Sequence, residues 1–97
     1  MSYVKLNQNY YLSNEDVGSL VCVKVLNNYY NEFKEYQNSI ILKFEYDKNK
    51  KSKHDIRPTI MSILTEGGDK KLIRLEYSRT EVHVKFLSRP ESILLNE

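Results

Sequence analysis

Residues 19–37 read SLVCVKVLNNYYNEFKEYQ, and the choice of fold turns on them. Leu20, Val21, Val23, Val25 and Leu26 form a nearly continuous apolar run rich in β-branched side chains. Such side chains are stiff at χ1 and suit a pleated, buried surface better than a helix. Upstream, Ser13-Asn14-Glu15-Asp16 has the form of a helix start, with Ser13 as cap, acids in the first turn, and Leu12 and Val17 placed as a hydrophobic staple. Two readings follow. In the adopted one, 19–26 is a strand, Asn27-Asn28 breaks it, and 28–37 is a loop or short helix. In the alternative, one helix runs from 14 to 37.

The flanking segments complete both readings. Val4 and Leu6, then Tyr10 and Leu12, suggest an early strand. Ile40, Leu42, Phe44 and Tyr46 alternate with Ile41, Lys43 and Glu45, the period of a strand. Ile56, Ile60, Ile63 and Leu64 recur at helical spacing, with Asp55 as a cap, Pro58 in the first turn and Gly67-Gly68 as the stop. A short helix is therefore expected over 56–66. Residues 70–77 and 80–87 read as a hairpin, because Val82, Val84 and Phe86 alternate with Glu81, His83 and Lys85, and Ile73 and Leu75 alternate with Leu72, Arg74 and Glu76.

The expected fold class is α+β. It is a small antiparallel sheet or OB-like barrel in the order β-β-β-α-β-β, with one short helix at 56–66. The alternative is a two-layer β-α-β-α-β-β sandwich. A chain of 97 residues makes a single domain over 1–97, with 90–97 as a frayed tail. No apolar run is long enough to cross a bilayer as a helix, and MSYVKLNQNYY lacks the layout of a signal peptide. A cytoplasmic location is expected. The single cysteine, Cys22, permits no intrachain disulfide and reads as a buried, inert thiol.

The net charge is +2. Residues 1–47 carry four cations and six anions, and 48–97 carry eleven cations and seven anions. The segment KNKKSKHDIRP at 48–58 holds five of those cations against one acid, so it accounts for the whole excess of its half. Lys48, Lys50, Lys51, Lys53 and Arg57 are the candidates for gripping phosphate or an acidic partner surface. Tyrosine is abundant and alanine absent. That composition marks an AT-rich coding bias and weakens lysine or tyrosine enrichment as evidence for nucleic-acid binding.

His54-Asp55-Ile56-Arg57-Pro58-Thr59, ahead of an apolar run, resembles over about a third of the chain the histidine-containing phosphocarrier proteins of the sugar phosphotransferase system. That family places its phosphorylated histidine just before Arg-Pro, where free N–H groups of a helix start receive the phosphate. Here Asp55 and Ile56 intervene, and the Asp55 carboxylate would repel the phosphate. The resemblance therefore assigns no catalytic role to His54, which reads as a solvated loop residue. His83 reads as an outer-face residue of its strand.

Two histidines and one cysteine match no metal-ligand spacing, and no P-loop, dinucleotide fingerprint or nucleophile elbow is present. No catalytic residue, metal or cofactor is expected, and an enzyme is the least supported class. The tract YYNEFKEYQ at 29–37 carries four aromatics. Tyrosine buries a large amphipathic area at low entropic cost, so Tyr29, Tyr30, Phe33 and Tyr36 are the candidate protein-binding residues. The leading expectation is a non-enzymatic binding protein acting through protein–protein contact, whether as a homodimer or as an inhibitor, adaptor or accessory regulator of the kind phages and mobile elements carry. The alternative is a nucleic-acid-binding domain using the 48–57 loop, with Tyr10, Tyr11 and the tyrosines of 29–36 stacking on bases.

Overall fold

The computed structural model describes residues 2–7, 9–27, 31–46, 57–75 and 80–89. Six strands form one antiparallel sheet: β1 (Val4–Lys5), β2 (Leu20–Asn27), β3 (Glu32–Glu45), β4 (Ile60–Leu64), β5 (Lys70–Arg74) and β6 (Thr80–Ser88). Their spatial order is β1-β6-β2-β3-β4-β5. The only helical element among the described residues is one 3-10 turn at Asn14–Asp16.

The α+β expectation is thereby overturned. The protein is nearly all antiparallel sheet, and neither the five-stranded barrel with one helix nor the β-α-β-α-β-β sandwich forms. The helix expected over 56–66 is replaced by β4. Ile60, Ile63 and Leu64 fit a helical stripe, but they belong to an unbroken apolar run in which Met61 and Ile63 face the core and Ile60, Ser62 and Leu64 face the other way. A short apolar run carries no periodicity that separates strand from buried helix. Asp55 and His54 lie outside the described residues. Gly67-Gly68 sits in the β4–β5 turn, where Gly68 takes φ +90° and its N–H donates to the Thr65 carbonyl.

The strand at 19–26 agrees with β2, whereas the single helix over 14–37 does not form. The loop or short helix expected over 28–37 is instead, from Glu32 onward, the first half of β3. Ser13 does cap a turn, its N–H donating to Asp16 Oδ2. Only three residues follow in helical form, because the β-branched run takes over at Leu20. The expected 70–77/80–87 hairpin does not form either. Both strands exist, but β5 pairs with β4, while β6 lies between β1 and β2.

The sheet has one apolar face and no helix among the described residues to cover it. Burial therefore requires the sheet to wrap around itself. Leu6, Leu12, Val21, Val23, Ile41, Phe44, Met61, Ile63, Ile73, Leu75, Val82, Val84 and Phe86 form one buried cluster drawn from both ends of the sheet. Three bulges supply curvature. Cys22 faces both Gln37 and Asn38, and Asn38 takes the left-handed φ of 46° that this bulge needs. Leu42 is the extra residue where β3 meets β4, and Leu87 where β6 meets β2. β3 changes partner across its bend. Among the described residues its first half pairs only with β2, and residues 40–45 pair with β4.

Neighbouring positions in β4 give opposite expectations. Ile63 is fully buried in the cluster, and Ile63→Ala should cost about 2–5 kcal/mol. The Ser62 hydroxyl is buried without a hydrogen-bond partner, so Ser62→Ala should leave stability unchanged or raise it by about 1 kcal/mol. Urea midpoints at constant m-value measure both. A loss from Ser62→Ala as large as that from Ile63→Ala would contradict this packing.

Candidate functional site

Two features of the sheet present functional chemistry: a polar cluster on the outer face and an open edge at β5. The outer face follows from register. Lys5 lies beside His83, His83 beside Lys24, and Lys24 beside Glu35, so one row of titratable side chains crosses β1, β6, β2 and β3. Lys5 Nζ donates to Glu81 Oε1 at 2.9 Å, His83 Nε2 lies 3.9 Å from Glu81 Oε2, and Lys24 Nζ lies 3.8 Å from Glu35 Oε2.

Tyr3 points to the same face, two residues before Lys5. Its ring carries Lys24 Nζ at 4.2 Å and Lys85 Nζ at 5.2 Å from the centroid. Nearby, the Cys22 thiol donates to Gln37 Oε1 at 3.1 Å. Burial raises the Tyr3 pKa above its ordinary value, and the nearby Cys22 and Glu35 add to the effect. Cys22 is 2% exposed, although its alternation places it on this outer face. The hydrogen bond from Lys5, and then its charge, hold the Glu81 carboxyl below the usual range.

The charges of this cluster are largely matched internally. Lys5 meets Glu81 and Lys24 meets Glu35, leaving Lys85 over Tyr3 as the cation with no acid in this row. A surface that grips a polyanion needs an excess of cations, and this row has little. Among the described residues, no group of three or more His, Cys, Asp or Glu could hold a metal ion.

The open edge has the opposite character. β5 pairs with β4 on one side, and among the described residues no strand pairs on the other. Leu72 in its middle is 61% exposed. Among the described residues, a second open edge runs along the first half of β3, where Phe33 is 60% exposed.

Of the residues singled out from the sequence, Phe33 and Tyr36 both lie on β3 but face opposite ways. Phe33 lies opposite Leu26 on the outer face, and Tyr36 packs against the core opposite Val23. They do not form one patch. Tyr29, Tyr30, Lys48, Lys50, Lys51 and Lys53 lie outside the described residues, and Arg57 is half-buried just ahead of β4. Tyr10 is exposed and Tyr11 half-buried. Leu72, Lys70 and Tyr3 were missed. The usable signal was Leu72, an apolar side chain on the outward alternation of a strand.

The Lys5–Glu81 contact gives a pH test. A carboxylate whose pKa is lowered in the folded state stabilises above its unfolded pKa, and that stability is lost as pH falls through the lowered value. Because the pair is exposed, the effect is small. In Lys5→Ala the Glu81 carboxyl should titrate higher than in the wild type, followed by carboxyl-carbon NMR. An unchanged Glu81 titration would mean that the contact is not formed in solution.

No protein-family model, no curated protein and no solved structure matches this chain, so the geometry of its surface carries the functional reading.

Proposed function

We propose that this protein is a non-enzymatic binding protein that contacts another polypeptide through exposed apolar side chains of its sheet, as an inhibitor, adaptor or accessory regulator. The observation that carries the reading is the exposure of Leu72, in the middle of β5, and of Phe33, near the start of β3. Scattered surface leucines are ordinary. These two differ in standing on strand segments with an open hydrogen-bonding edge, where side-chain contact and backbone pairing can act together. Nucleic-acid binding is the weaker reading, because in the row across β1, β6, β2 and β3 both Lys5 and Lys24 are paired with an acid.

The test compares the wild type with the double variant Phe33→Ser, Leu72→Ser. Both positions are exposed, so the folding midpoint should hold within about 0.5 kcal/mol for each. The wild type, immobilised, should retain a protein from its host's lysate that the variant loses. A wild type that retains no protein but holds a single-stranded oligonucleotide, with affinity falling steeply with salt, would replace this reading with nucleic-acid binding.

A further inference from the structure

The β5 edge has a polarity that specifies its occupant. In an antiparallel ladder, residues alternate between pairs that exchange both backbone hydrogen bonds and pairs that exchange none. Here the phase is fixed at both ends of the β4–β5 pair. The Thr65 N–H donates to the Asp69 carbonyl and the Leu75 N–H donates to the Thr59 carbonyl, each at 2.8 Å. Both fit the register that sets Leu64 opposite Lys70 and Ile60 opposite Arg74. Counting inward by twos, Lys71 and Ile73 turn their N–H and C=O groups toward β4. Lys70 and Leu72 therefore aim theirs at the open edge, ready to pair with another strand.

The side chains restrict which strand that is. Lys70, Leu72 and Arg74 share the outer face, and exposed Lys71 stands on the other. A second copy pairing antiparallel over all five residues would set Leu72 against Leu72, but Lys70 against Arg74 at two places. Like charges directly opposite destabilise a strand pair. Arg74 has an interaction of its own, so Lys70 and Leu72 are the positions that matter most. The same cations that oppose self-pairing, Lys70 and Arg74, attract carboxylates.

We propose that β5 takes up, by strand addition, an extended acidic segment of a partner protein, with an apolar residue beside Leu72 and acids two residues to either side. This rests on the protein-binding reading above and names the partner's chemistry. The pattern acid-x-apolar-x-acid reads the same in both directions, so parallel and antiparallel docking are both served. Backbone pairing at Lys70 and Leu72 supplies affinity, and the charge pattern supplies selection.

The probe is a fluorescein-labelled heptapeptide, Thr-Glu-Thr-Leu-Thr-Glu-Thr, titrated into the full chain and followed by anisotropy. Binding is expected, and a peptide with lysine in place of both glutamates should bind at least about tenfold more weakly. The variant Lys70→Glu, which sets an acid against one peptide glutamate and leaves Arg74 against the other, should erase that preference while still binding peptide, which a merely unfolded variant could not do. Saturating peptide should slow exchange of the Lys70 and Leu72 amides by about tenfold or more, with the Lys71 and Ile73 amides changing less. No binding at about 1 mM glutamate peptide, equal binding of the two peptides, or binding without protection of the Lys70 and Leu72 amides would overturn the proposal. A concentration-dependent dimer of the free protein that protects those two amides would overturn it in favour of a second copy. If peptide binding fails while the wild type still retains a protein that Phe33→Ser, Leu72→Ser loses, only the acidic-strand proposal falls. If that capture fails too, the protein-binding reading falls with it.

Discussion

The constraint on which this structure depends is that a sheet with one apolar face has to cover that face with something. In most sheet proteins of this size a helix or a second sheet does so. Among the described residues here there is only a single 3-10 turn, and the sheet covers itself. Residues from β5 at one end and β6 near the other join the same buried cluster. That is possible only because β3 is long, bends at Asn38 and changes partner as it goes.

Curling has consequences for both surfaces. On the convex side it leaves a broad outer face, whose row of Lys5, His83, Lys24 and Glu35 is nearly self-neutral. Tyr3 lies on that face with two lysines over its ring, in a layer that keeps Cys22 out of solvent without placing it in the main core. At the margin, curling leaves edges, because the ends of the sheet do not pair with each other among the described residues. An unpaired edge is a liability that proteins manage with brevity and charge. The five residues of β5, with their cations, meet both conditions, and exposed Leu72 is the one residue there that serves no protective purpose.

The local signals in the sequence were sound where they concerned strand periodicity. Val82, Val84 and Phe86 are buried in alternation as their spacing implies. The run at 19–26 is a strand because its β-branched residues outweigh the helix-start signal at Ser13. The expected phase of β3 was wrong at Ile40 and Ile41, where Ile40 is exposed and Ile41 takes the core position, and right again at Phe44, because the bulge at Leu42 shifts the alternation by one residue. The candidate aromatics illustrate the same limit. Phe33 and Tyr36 look like one patch in a helical or loop reading, yet three residues along a strand put them on opposite faces.

The sequence by itself determined that this chain forms one small domain with a strand-rich C-terminal half, a buried thiol and no recognisable catalytic motif. It determined these because composition and two-residue alternation are local properties. Tertiary structure alone decided that 60–64 is a strand, that β5 and β6 are not partners, and that Leu72 stands on an open edge. The physical reason is that a short apolar run such as Ile60–Leu64 is equally content in a buried helix or a buried strand. Which it becomes is set by what lies beside it, and that neighbour is the bent second half of β3.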